Sequence, residues 1–220
     1  MPRPAENAVR SIREVTAMLT IWGRLNSHNV KKVAWLAEEL GIPYVRHDIG
    51  GQFGMSDDYL AMNPNALIPT IKDDGLVLWE SNAIARYLAA RHGGARWWPD
   101  EPQLRALGDR WMDWQIGYAD AQRDAFVNLV RTAPGKRDMD AVARSANRSG
   151  EQMAILDRYL ADTGWLSGSD FGIGDIPMGV YAHSWFTLDI ERPELPHVAD
   201  WYRRLQSRPG YASQVMIPLT

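Results

Sequence analysis

Asn63-Pro64-Asn65-Ala66-Leu67-Ile68-Pro69-Thr70-Ile71, followed past Asp73-Asp74-Gly75 by Leu76-Val77-Leu78-Trp79-Glu80-Ser81-Asn82-Ala83-Ile84, is the stretch that decides the fold of this 220-residue chain. Asn63-Pro64 ends the segment before it, because a residue preceding proline is held out of the helical region. Ile68 to Ile71 and Leu76 to Trp79 are short apolar runs, and the Asp-Asp-Gly between them is a turn signature, so they pair as an antiparallel hairpin. A helix starts near Ser81 and turns Ile84, Tyr87 and Leu88 inward.

Working toward the N-terminus, Ser56 caps a short helix through Asp57, Asp58, Tyr59 and Leu60, and Tyr44 to Asp48 is a further strand. Before it, Val30, Val33, Ala37 and Leu40 recur at helical spacing, with Lys31, Lys32, Glu38 and Glu39 on the opposite face, Asn29 as cap and Gly41 as stop. Met18 to Trp22 is a buried strand ended by Gly23. The order β-α-β-α-β-β-α within about eighty residues requires helices packed on a small mixed sheet. Residues 1–17 read as a flexible N-terminal extension.

Toward the C-terminus, strand-like segments stop at Trp97-Trp98-Pro99-Asp100-Glu101-Pro102, whose prolines mark a linker. Leu104, Leu107, Trp111, Trp114 and Tyr118 then step along one helix face, and Met153, Leu156 and Leu160 do the same later. Thr132 to Gly135 and Ser145 to Gly150 read as breaks between helices. The predicted class is therefore α/β plus all-α: a sheet domain over 18–97, a linker over 98–103 and an all-helical domain over 104–220.

Composition narrows the chemistry. Lysine plus arginine total 24 against 27 for aspartate plus glutamate, a formal charge of −3. Without a basic excess, nucleic acid is a poor partner. Cysteine is absent, which removes disulfides, zinc–thiolate and iron–sulfur sites and any protein thiol as nucleophile. No segment approaches the ~18 uninterrupted apolar residues of a membrane span, and the first residues lack the apolar core of a signal peptide, so a cytoplasmic location is expected.

Four motifs, in this order, resemble the glutathione transferase superfamily from about Thr20 to the C-terminus: Asn26-Ser27-His28-Asn29 feeding the first helix, the Ile68-Pro69 segment, Trp79-Glu80-Ser81-Asn82, and Phe171-Gly172-Ile173-Gly174-Asp175-Ile176. The resemblance implies a thioredoxin-like sheet domain that binds glutathione, a helical second domain, a homodimer, and no metal. It implies that Ser27, six residues before Val33, contacts the glutathione sulfur, as in theta-like members. Asn29 matches the nu-class pairing of a hydroxyl residue with an asparagine two places on. On spacing alone, both residues equally well cap the helix; His28 reads as an exposed loop residue.

The chemical need is plain, since a thiol of pKa about 8.5 is mostly protonated at neutral pH. A hydrogen bond to a charged partner is worth roughly 1.5–3 kcal/mol, and one unit of pKa is about 1.36 kcal/mol, so a single hydroxyl donor suffices to favour the thiolate. The helix N-terminus adds a favourable field.

By the same resemblance, Pro69 is cis and the Ile68 backbone pairs with the cysteinyl unit of glutathione. Glu80 receives the α-ammonium, and Ser81 with its helix N-terminus receives the α-carboxylate. Gln52, in the glycine-rich loop Gly50–Gly54, is the candidate for the glycyl carboxylate, against a plain flexible loop. Asp175 begins a buried helix as half of a capping box in which Gly172 replaces the family's serine or threonine. Trp111, Trp114 and Tyr118 are candidates to line an apolar acceptor pocket, the alternative being ordinary core.

The expected activity is conjugation of glutathione to small hydrophobic electrophiles. Its rivals are glutathione-dependent disulfide reduction and a non-catalytic interaction module of the same fold.

Overall fold

A computed structural model describes residues 18–220; the expected extension over 1–17 lies outside the described residues. Strands β1 (Leu19–Trp22), β2 (Tyr44–His47), β3 (Thr70–Asp73) and β4 (Leu76–Trp79) form one sheet in the order β2-β1-β3-β4. β1 runs parallel to β2 and antiparallel to β3. A parallel pair needs a crossover, supplied by helix α1 (His28–Glu39). The β3–β4 hairpin turns on Asp74 and Gly75 at φ 46° and 84°, the left-handed pair whose twist matches that of the strands.

Helix α2 (Asp57–Met62) is capped as expected, with Ser56 Oγ accepting the Tyr59 N–H at 3.2 Å. Helix α3 (Ser81–His92) follows β4 directly. Beyond the single turn α4 (Gly94–Trp97), the chain is helical: α5 (Pro102–Phe126), α6 (Met139–Thr163), α7 (Asp175–Thr187), α8 (Pro196–Gln206) and α9 (Pro209–Gln214). The mixed four-stranded sheet with helices, followed by a helical remainder, is thus the architecture found.

Helix α1 lies between the sheet and the helical half. Val30, Val33 and Ala37 are fully buried, as their spacing predicts, and Leu40 is half-buried, but Lys31 and Lys32, expected on a solvated face, are each only 2% exposed. That second face is covered by α7 and α9, and Lys31 Nζ donates to Val215 O at 3.0 Å. Gly179 makes the approach possible: a Cβ there would stand 2.8 Å from a ring carbon of Trp35.

Three further expectations are corrected. The break read at Ser145–Gly150 is absent, since α6 runs straight through it. Its small residues are buried against α5, with Ser145 Oγ donating to Ala121 O at 2.6 Å. Small side chains there serve close helix approach, a demand that looks like a loop in the sequence. The cap of α1 is Ser27, and Asn29 is already inside the helix. On α5, Trp111 and Tyr118 are buried as expected, whereas Leu104 and Leu107 are 57% and 38% exposed.

The half capping box is intact. Asp175 accepts the Gly172 N–H at 3.0 Å and also serves Leu166 N and Trp201 Nε1 at 2.9 Å each. Burial raises the Asp175 carboxyl, and these donors oppose the rise.

Candidate glutathione site

The loops at one end of the sheet are shaped by buried polar side chains. Asn63, 1% exposed, donates to Leu67 O at 2.9 Å and Thr70 Oγ1 at 3.1 Å, and accepts the Asn65 N–H at 3.1 Å. Tyr59 adds a 2.6 Å bond from its hydroxyl to Leu67 O. These bonds define the path of 63–70 and bring the Ile68-Pro69 peptide, which is cis, to the start of β3. Among the described residues no hydrogen bond engages the Ile68 backbone. An extended ligand segment can pair with such a free edge.

Glu80 joins β4 to α3 at φ 72°, a left-handed conformation that residues with a Cβ rarely adopt. Its side chain is exposed, while Ser81, the first residue of α3, is 6% exposed. Ser81 Oγ donates to Asn29 Oδ1 at 3.2 Å and takes a 3.4 Å contact from Lys32 Nζ. The first intrahelical acceptance in α3 is by Glu80 O from Ile84 N, so the N–H groups before Ile84 are free for an anion.

One small cavity collects five of the predicted residues, Asn29, Ile68, Pro69, Glu80 and Ser81, together with Asn63, Asn65 and Leu67. A broader open groove between α6 and Glu191–Pro193 has no comparable donor set: its arginine, Arg192, is turned inward onto Trp185 O and Phe186 O at 2.8 and 3.2 Å.

Ser27 and Gln52 lie outside that cavity's lining. Ser27, half-buried, occupies the N-cap of α1, but its hydroxyl accepts no first-turn N–H; the cap works through Ser27 O, which takes Lys31 N at 2.9 Å. The hydroxyl is therefore not spent on capping. Gln52 sits exposed on a single 3-10 turn, Gly51–Phe53. The charged neighbour there is Arg24, whose Nε would stand 2.9 Å from a Cβ at Gly51. Burial and the nearby Arg131 pull Arg24 below its ordinary value.

His28 is not an exposed loop residue. It opens α1, stacks on Tyr181 at 4.6 Å, meets Phe126 edge-on at 4.8 Å and bonds Ser184 Oγ at 3.1 Å. Burial, with Lys31, Lys32, Arg131 and His183 near, lowers it to about 3, so it is a neutral wedge and no base at neutral pH. Trp111 (6% exposed), half-buried Trp114 and Tyr118 (fully buried) form an aromatic column that reaches Tyr181 beside His28.

Sequence reading passed over Lys32, Arg24, Asn63 and Asn65. The two asparagines stand inside the quoted motif, whereas nothing local marks the two cations. No helix among the described residues is long and apolar enough to cross a membrane.

The sheet order, the cis-proline entering β3 and the helical half beyond define a thioredoxin-like fold of the glutathione transferase kind. Comparison with known proteins agrees: residues 26–91 match the family "Glutathione S-transferase, N-terminal domain". Glutathione S-transferase GstB of Escherichia coli is 43% identical over 208 residues, which cover 92% of this chain and 100% of that protein. The disulfide-bond oxidoreductase YfcG of the same organism is 30% identical over 83% of this chain and 87% of its own. Among solved structures, the glutathione-bound theta class glutathione S-transferase of Xanthomonas axonopodis pv. citri superposes with a TM-score of 0.88 at 50% identity, covering 92% of this chain and 99% of that one. The chain belongs to the glutathione S-transferase superfamily.

Proposed function

We propose a cytoplasmic glutathione transferase of theta-like type that holds glutathione by its ends, keeps its sulfur ionised, and delivers the thiolate to a small hydrophobic electrophile. The observation that carries this reading is the shared cavity of Asn29, Ile68, Pro69, Glu80 and Ser81. Its polar groups suit an extended γ-glutamyl tripeptide: Ser81 and the α3 N-terminus for the α-carboxylate, Glu80 for the α-ammonium, the Ile68 backbone for the cysteinyl amide. Gln52, with Arg24 beside its turn, faces the glycyl end. Ser27 and Asn29 address the sulfur at the positive end of α1, where a thiolate is favoured.

The acceptor then enters beside His28, Phe126 and Tyr181, with Trp111, Trp114 and Tyr118 backing that wall. Residues 18–97 and 104–220 act as two domains joined by 98–103, and two copies associate as a homodimer.

Disulfide reduction is the second reading. The Ser27–Asn29 pair favours it, as does similarity to a relative named for disulfide-bond oxidoreduction. In that case a bound glutathione thiolate attacks a disulfide sulfur, and the leaving thiolate departs without any protein thiol. Rates toward 1-chloro-2,4-dinitrobenzene and 2-hydroxyethyl disulfide, measured on one preparation, decide between them. Conjugation is expected to dominate; turnover of the disulfide alone overturns the first reading. Absence of glutathione binding at millimolar concentration overturns both and leaves an interaction module.

A further inference from the structure

Lys32 is a buried charge that the proposed chemistry leaves unused, and unlike Lys31 it borders the cavity, through Ser81. It is 2% exposed, and its ammonium contacts only neutral side-chain oxygens: Gln115 Oε1 at 2.5 Å, Asn82 Oδ1 at 3.2 Å and Ser81 Oγ at 3.4 Å. The Tyr181 ring lies 5.6 Å away. Among the described residues, no carboxylate lies within ion-pair distance of it. Burying an ammonium without a counter-ion is costly, and methionine would fill the same space without that cost. The position of the charge supplies a reason for it. Lys32 stands one hydroxyl behind the cavity, beneath the free N–H groups that open α3.

We propose that Lys32 is a positioning residue for the α-carboxylate of glutathione, a buried cation whose counter-ion arrives with the ligand and is felt through the Ser81 hydroxyl. This rests on the glutathione reading of the cavity. Ser81 accepts from Lys32 and donates to Asn29. Turning that single donor to a carboxylate leaves the lysine contact intact. The anion then sits about 6 Å from the ammonium, near enough in a protein interior to alter affinity tenfold or more.

A linkage to pH follows. Burial brings Lys32 down to about 7, with Glu80 opposing. The other groups around it are Tyr181, raised to about 12, Lys31, lowered to about 8, and His28, lowered to about 3. A ligand anion favours the protonated lysine, so affinity is full below about pH 7 and declines above it. Binding near pH 7.5 draws in a fraction of a proton.

Calorimetry tests this with S-methylglutathione, which has no thiol to titrate, and with its analogue lacking only the α-carboxylate, S-methyl-(4-aminobutyryl)cysteinylglycine. Titrations at pH 7.5 in phosphate and in Tris buffer separate proton uptake from binding heat. Wild type is expected to take up protons with the first ligand and not with the second. Lys32→Met is expected to lose tenfold or more affinity for the first, keep its affinity for the second, and take up no proton; Lys32→Arg restores the preference without the uptake. Wild-type binding of S-methylglutathione without uptake, or a Lys32→Met variant with an unchanged ratio of affinities, overturns the lysine assignment alone. Should Lys32→Met fail to fold, the wild-type uptake decides. Failure of wild type to bind either ligand overturns the site reading beneath it.

Discussion

Ser27 and Asn29 stand two residues apart at the start of α1, and their hydrogen bonds give them different freedom. Asn29 Oδ1 is engaged by Ser81 Oγ, while the Ser27 hydroxyl accepts no cap bond and donates to no acceptor among the described residues, leaving its proton available to a ligand. A charge-assisted bond of roughly 1.5–3 kcal/mol corresponds to about 10- to 100-fold in rate. Ser27→Ala is accordingly expected to cut turnover by that order and to change glutathione affinity less; steady-state kinetics with glutathione as the varied substrate measure both, and unchanged turnover removes the serine from the chemistry. At this scale the motif order singled out Glu80 and Ser81, which line one small cavity with Asn29, Ile68 and Pro69. The sequence reading set Lys32 on a solvated face and passed over Arg24, because a lysine becomes a buried cation only through what packs over it.

Helix α1 joins the two halves through side chains expected in solvent, Lys31 and Lys32 from periodicity and His28 as a loop residue. His28 is the clearest case, wedged between Tyr181 and Phe126 and bonded to Ser184. Its folded pKa, about 3, lies below the unfolded value near 6.5. Between these values the unfolded chain binds more protons, so unfolding free energy falls as pH drops from about 6.5 toward 3, by up to roughly 1.4 kcal/mol per pH unit. Thermal denaturation is expected to show Tm declining through that window, with a shallower decline for His28→Phe, which retains the aromatic stack. Identical slopes for the two proteins exclude this wedge as the source of acid sensitivity. The strands, by contrast, were legible locally: the Asp73-Asp74-Gly75 turn dictates its hairpin, since the left-handed conformations are provided by its own residues.

Across the described residues, exposed apolar side chains are scattered, and two groups of them lie on β4 and at the start of α5. β4 is the edge strand of the sheet, with Leu76, Val77 and Trp79 between 37% and 41% exposed. Leu104 and Leu107 begin α5, which is tied to α3 through Arg86 with Asp109 and Asp113 and through Asn82 with Met112 O. A bare strand edge and exposed leucines each favour self-association. Light scattering is expected to give twice the chain mass for wild type and a smaller mass for the Val77→Lys/Leu104→Glu double variant. A monomeric wild type rules the homodimer out.

Periodicity, turn chemistry and motif order determined the element sequence, the mixed sheet and the change to helices after Trp98, and composition determined that the chain carries no cysteine thiol. These are properties of neighbours along the chain or of composition, and each is written within a few residues. Only the tertiary structure decided that α6 is unbroken, that Lys31 and Lys32 are buried, that His28 is a neutral wedge and that Leu104 and Leu107 stay uncovered. A side chain's burial, and with it its charge, depends on surfaces brought from 49 to 184 residues away, as Ser81 and Val215 are for α1; no local pattern encodes which surface will arrive.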